Sequence, residues 1–173
     1  MNRFGVLTGM VLTATAARLI PHPPNFSPVA ALALFGGATF ASRRAAFLVP
    51  LAAMFLSDLV FGFSVMTPVV YGSFALITCL GLWVRRRQTV WRLAGASVAS
   101  AVLFFVITNL GVWMFEDFYP KTLPGLAECY LAAIPFFWNT LGSDLFFSAV
   151  LFGGLALAER RWRWLAEPTP MAA

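Results

Sequence analysis

Long apolar runs, separated by short polar or proline-containing breaks, constrain this chain more than any other feature. In lipid every backbone polar group must be satisfied internally, and apolar runs of this length do so as helices. Reading between the breaks gives six candidate spans, at about residues 4–20, 27–41, 45–62, 67–84, 90–115 and 134–158. The composition points the same way: of 173 residues 60% are hydrophobic and 11% charged, with a mean hydropathy of +0.81, far from a soluble domain. The expectation is an all-α, polytopic protein of six transmembrane helices, a single integral membrane domain over residues 1–173 with the lipid bilayer as its solvent. The first apolar stretch is kept as a helix, because no small-residue cleavage site leads from it into a soluble remainder.

Two stretches depart from a simple helix-and-turn pattern. The second span is short for a hydrocarbon core of about 30 Å at 1.5 Å per residue, so it should be shielded by protein or joined to a re-entrant loop. Between spans five and six, residues 116–133 are too long and too polar for a turn, and a short surface helix is expected after Pro124.

Arg18-Leu-Ile-Pro-His-Pro-Pro-Asn-Phe26 divides spans one and two and carries the chain's single histidine. Pro21, Pro23 and Pro24 forbid helix continuation, and Asn25 or Ser27 can cap the helix that follows. Such backbone belongs at the membrane face or along a protein cavity.

Basic residues set the sidedness. With the N-terminus inside, Arg3, Arg43, Arg44, Arg85, Arg86, Arg87, Arg92, Arg160, Arg161 and Arg163 all fall on the cytoplasmic side, and only Arg18 and Lys121 fall outside. Both termini are therefore expected in the cytoplasm. The net charge of +5 reports topology and carries no argument for nucleic acid. The Arg85–Arg87 run has a topogenic role, with anionic headgroups as its other use.

That sidedness places Asp58, Tyr71, Asn109 and Asn139 near the outer ends of spans three to six, and Asp144 deeper in span six. An ionisable group at that depth needs a partner or a water-filled cavity. Together these residues describe a polar-walled cavity opening outward; bonding between neighbouring helices is the plainer use of each. Aromatic residues end span five and begin span six, where an interfacial belt would put them. Tyr130 and Trp138 are the two chosen as grips on a large ligand with apolar faces.

Cys79 and Cys129 are not expected to pair. Cys79 lies about 18 Å along its helix from the outer end at 1.5 Å per residue, and Cys129 belongs near the surface. A thiol in a span is ordinarily a small hydrophobe; as a thiolate it is also a soft donor able to fill one axial position of a metal held by a macrocycle. Two cysteines and one histidine, widely spaced, make no zinc site.

Nucleotide- and hydrolase-type motifs are missing, and Gly36-Gly37 lies at a small-residue helix end, so no catalytic residue is assigned and an ATP-driven step would need partner subunits. Gly5, Gly9, Thr13 and Ala17 recur at i+4 on span one, a ridge of small residues suited to close contact with a partner helix.

The sequences RLIPHPPNFSPVAALALFGGATF, VPLAAMFLSDLVFG and IPFFWNTLGSDLFFSAVLFG resemble small six-helix membrane proteins related to the substrate-binding S components of energy-coupling-factor transporters, and among them the solitary vitamin B12 (cobalamin) transporters. The resemblance covers nearly the whole chain. It implies an S-component-like bundle in the bacterial cytoplasmic (inner) membrane, with an external substrate site built from loops and helix ends after spans one, three and five. It implies uptake of cobalamin or a related corrinoid as transported ligand, with no intrinsic cofactor and no enzymatic role beyond side chemistry at the upper ligand of cobalt. Cys79 takes the role of the cysteine that ligates cobalt; His22 and Cys129 are the rival ligands, and Asn25 and Phe26 belong to the external loop of the site. It also implies contact between helix one and an energy-coupling module of a transmembrane subunit plus ATPases, although the ridge here departs from the usual Ala-x-x-x-Ala form and solitary members manage without a module. Transport of another vitamin or precursor, and a non-transporting scaffold subunit, are the alternatives.

Overall fold

A computed structural model describes residues 2–166 of the chain; both terminal segments outside that range, and with them the expected place of the C-terminus, lie outside the described residues. The only regular structure among the described residues is helical, with no strand: α1 (Arg3–Ala16), α2 (Val29–Thr39), α3 (Arg43–Phe61), α4 (Thr67–Val84), α5 (Val90–Phe115) and α6 (Leu123–Arg161), with single 3-10 turns at Ala17–Leu19 and Arg163–Leu165. α3, α4, α5 and α6 are long and apolar enough to cross a membrane.

The two remaining helices are shorter than the spans expected for them. α1 stops at Ala16, where the chain tightens into a 3-10 turn that ends at Ile20 before the prolines. Its 14 residues rise only about 21 Å. α2 has 11 residues, about 16 Å, and lies inside the protein with every one of its residues buried. Expected shielding of the second span by protein is thus what the fold provides. A helix this apolar on all sides is a core element, not one with a lipid-facing side.

Close approach to α2 is set by glycine. A Cβ on Gly37 would stand 2.2 Å from the Thr78 carbonyl oxygen, and one on Gly81 would stand 2.4 Å from that of Leu34, so α2 and α4 touch backbone to backbone. On the α3 side the Pro50 ring occupies the space a Cβ on Gly36 would fill.

Neither Asn25 nor Ser27 caps α2, contrary to expectation. The N-cap is Pro28, without a side-chain bond; Asn25 is instead used for a left-handed turn at φ 60°, a conformation that asparagine tolerates better than most residues. At the other end of α2, Arg85 supplies the missing partners of the last carbonyls: Nε and Nη2 donate to Gly37 O at 3.1 and 2.8 Å, and Nη1 donates to Ala41 O at 3.1 Å. Gln88 Nε2 adds a bond to Ala38 O at 2.8 Å. A cation at a helix C-terminus is also favoured by the helix dipole.

The surface helix expected after Pro124 does not stand alone. It is the first part of α6, a 39-residue helix that runs through Pro135 without a break. Thr122 caps it by accepting from Gly125 N at 3.3 Å, Pro124 occupies the first turn, where its missing N–H costs nothing, and the interior Pro135 removes one backbone bond from a helix secured on both sides.

Alternation of the helices gives the bundle two poles. One holds the ends of α1, α3 and α5 and the starts of α2, α4 and α6, together with the proline-rich loop; this is the loop pole. The opposite, arginine pole collects ten of the twelve basic residues.

Candidate functional site

At the loop pole three elements meet around one carboxylate. Arg18, at the exit of α1, donates through Nη1 to Asp58 Oδ1 at 3.0 Å and also to the Ser57 hydroxyl, and its guanidinium lies 5.3 Å from the centre of the Phe61 ring. Tyr71 of α4 donates its hydroxyl proton to Asp58 Oδ2 at 2.8 Å. Both oxygens of Asp58 are engaged, and the ion pair is largely out of solvent, with 17% and 12% of the Arg18 and Asp58 side chains exposed. Asp58 and Tyr71 were expected at one depth, and they touch. Arg18 was not among the candidate site residues; its signal in the sequence was that it is one of two basic residues on the minority side.

The proline-rich loop is fastened to α6. Asn139 Nδ2 donates to Pro24 O at 2.9 Å, Ser143 Oγ donates to Ser27 O at 3.2 Å, and the Phe26 ring packs 6.2 and 5.9 Å from those of Phe146 and Phe147. Within the loop Phe26 N donates to Pro23 O at 3.0 Å. Asn25 is exposed, and so is His22, whose Nδ1 lies 3.0 Å from the Pro23 carbonyl that can only accept from it. His22 is thus occupied with a nearby carbonyl.

A third group ties α5 to the start of α6. Tyr130 donates its hydroxyl to Val106 O at 2.7 Å and stands edge-on to Phe105, and the Cys129 thiol donates to Asn109 O at 3.4 Å. Asn109 spends its own amide on Phe105 O at 2.8 Å, one turn back. Trp138 is 64% exposed on the outer surface of α6. Asn109, Asn139 and the Asp58–Tyr71 pair belong to three separate contacts, with no hydrogen bond linking the three.

Cys79 sits on the outer face of α4. With Gly72, Leu76 and Trp83 it forms an exposed stripe, while Ser73, Phe74, Ile77, Thr78, Gly81 and Val84 face inward. Cys79 and Cys129 are both free thiols. Among the described residues no three His, Cys, Asp or Glu side chains come together as a metal site.

Among the described residues Asp144 is the most deeply buried carboxylate, 1% exposed, and neither of its oxygens has a hydrogen-bond partner there. On the arginine-pole side of it, a cavity of about 810 Å³ opens between α5 and α6, with Arg3, Arg85, Ser97, Ser148, Phe152 and Glu159 in its wall. Arg3 Nη1 reaches Glu159 Oε1 at 2.5 Å and bonds the Leu165 carbonyl. Ser97 Oγ donates to Ser148 Oγ at 2.8 Å across the helix pair. The sequence carried no signal for this cavity, because its wall comes from antiparallel helices whose facing residues Ser97 and Ser148 lie 51 residues apart in the chain and whose lining residues are individually unremarkable.

Of the ridge on α1, Gly5, Gly9 and Thr13 are exposed and Ala17 is partly so, opposite the buried face of Leu7, Val11 and Thr15.

A family profile described as "Family of unknown function (DUF6580)" matches residues 1–168. The chain belongs to DUF6580. No curated protein matches it and no solved structure does.

Proposed function

We propose that this DUF6580 chain is a carrier of the S-component kind in the bacterial cytoplasmic membrane, with six helices in the bilayer region, both termini inside, and a solute captured at the loop pole. The collection of ten basic residues at the opposite pole supports that orientation. One observation carries the site: the proline-rich loop is held in a fixed conformation at both ends, by Arg18 on Asp58 and by Asn139 and Ser143 on its carbonyls. Loop backbone that is held this way is pre-organised, so that a ligand need not pay to order it. α1, with its small-residue face turned outward, is the surface offered to a coupling module, and Gly9→Leu should abolish such a complex.

Cobalamin or a related corrinoid is the substrate to which the sequence resemblance points. Purified protein should then carry a coloured, bound corrinoid, and a strain lacking other B12 importers should take up labelled cobalamin through it. If Cys79 ligates cobalt, the absorption spectrum changes in Cys79→Ala. Colourless protein together with no cobalamin uptake would overturn the corrinoid reading.

The outward face of Cys79 favours a second reading, in which another vitamin or precursor is carried and Cys79 is a lipid-facing hydrophobe. Under it the spectrum of added corrinoid is unchanged by the protein, and uptake screening with other labelled vitamins finds the solute.

A further inference from the structure

Asp144 is the carboxylate that the described residues leave buried and without a partner. It is 1% exposed, and both oxygens lack a partner. A third buried, unpartnered oxygen, the Ser27 hydroxyl, belongs to the residue whose carbonyl accepts from Ser143, the neighbour of Asp144. An isolated carboxylate in a dry interior is so costly that something from outside the chain must neutralise it. No cation among the described residues does so. α2 is uncharged along its whole length; α5 brings only Arg92, which lies over the Trp83 ring at the arginine pole; Arg163, in the short turn that follows α6, lies at that same pole; Arg3 of α1 is held by Glu159; His22 in the loop is exposed and occupied by Pro23. On α6 itself Glu128 and Glu159 are each about 22 Å or more from Asp144 along the axis.

A proton fits this environment better than a metal ion. A metal ion would need several oxygens to replace its water, and among the described residues Asp144 belongs to no group of three or more His, Cys, Asp or Glu side chains that could hold one. A proton needs one oxygen and a route. Ser148 lies one turn, about 6 Å, beyond Asp144 and forms part of the wall of the α5/α6 cavity, as does Leu145, the next residue in the chain.

We propose that Asp144 is a proton-binding site supplied from the arginine-pole cavity, taking up one proton from cavity water to become the neutral acid and returning it to that water on ionisation. In the carrier reading, on which only this use of the site rests, the neutral acid lets α6 and α2 shift against each other without a bare charge in the bilayer, so that solute movement is tied to proton movement.

The decisive measurement is infrared difference spectroscopy of the full chain in lipid nanodiscs across a pH titration. A protonated-carboxyl band should be present in the wild type and in Glu128→Gln, absent in Asp144→Asn, and displaced but present in Asp144→Glu, with size-exclusion profiles confirming that each variant is folded. Ala149→Trp, which plugs the cavity wall, should slow the deuterium shift of that band several-fold. A band that persists in Asp144→Asn, or that sodium removes at constant pH, would overturn the proton site; a deuterium shift of unchanged rate in Ala149→Trp would overturn the cavity route. Labelled cobalamin uptake into proteoliposomes separates the two readings: an inward proton gradient should raise it several-fold in the wild type and not in Asp144→Asn. No uptake in either, with the infrared band in place, removes the corrinoid carrier and keeps the proton site. Wild-type uptake that ignores the gradient removes the coupling.

Discussion

The two poles of this bundle solve the same problem in opposite ways. At the loop pole, charged and polar side chains meet one another: Asp58 has a partner on each oxygen, and Asn139 and Ser143 close on loop carbonyls. At the arginine pole, charged side chains are spent on helix ends and on each other, as Arg85 on the carbonyls of α2 and Arg3 on Glu159, while a cavity of about 810 Å³ stays open between α5 and α6. One pole is closed by paired side chains and the other holds an open cavity, with the unpartnered Asp144 between them. An element can shift only where its contacts are weak or absent, so the open side of α6 is the side on which it has room to move.

The contrast breaks most visibly at the loop pole. Arg18→Met leaves Asp58 buried with one of its partners gone, and a buried pair broken in this way costs about 3–5 kcal/mol. Thermal unfolding in nanodiscs should show the loss, and replacing both partners, Arg18→Met with Asp58→Leu, should recover most of it; a double variant as unstable as the single one would mean that the ion pair is not the source. Arg85→Ala at the arginine pole should cost less, about 2 kcal/mol for charge-assisted bonds that solvent can partly replace, and should raise amide exchange at the last turn of α2. Asn139→Ala removes one neutral bond to Pro24 O, about 1 kcal/mol, and should free the loop, seen as faster proteolysis within residues 20–28. If proteolysis is unchanged, the loop is held by Phe26 packing and not by Asn139.

How much of this was legible in the sequence depends on whether a contact is local or made across the bundle. Apolar length marked α3, α4 and α5 to within a few residues, because bilayer-length runs have few other readings. It also marked α2 as too short to span alone. It overextended α1, since the 3-10 turn after Ala16 is a backbone choice made by the approaching prolines. It divided α6, since a polar stretch followed by Pro135 reads as loop and break when no tertiary contact is known. Depth along a helix put Asp58 and Tyr71 together correctly, yet depth says nothing of azimuth: Asn109 turns to its own backbone, Trp138 faces outward, and Cys79 lies on the far side of α4 from Ile77 and Thr78. Helical phase could have sounded the warning for Cys79, because the glycine that touches α2 is Gly81, two residues and 200° away on an ideal helix.

That phase gives the smallest expected effect and the sharpest separation of the two substrate readings. Cys79 is a free, exposed thiol without a bond partner among the described residues and lies among exposed Gly72, Leu76 and Trp83, so Cys79→Ala removes a sulfur from the outer surface of α4 and should change stability by no more than about 0.5 kcal/mol, as surface substitutions do. A loss of 2 kcal/mol or more would mean that another chain or a bound ligand covers this face of α4 in the membrane. Corrinoid binding that weakens at least tenfold in the same variant, with unchanged unfolding, would mean that α4 turns or that the ligand seats on its outer face, since in the present arrangement the thiol points away from the polar contacts of the loop pole. Unchanged stability and unchanged binding would leave the loop pole to hold its solute through Arg18, Asp58, Tyr71 and the proline-rich loop alone.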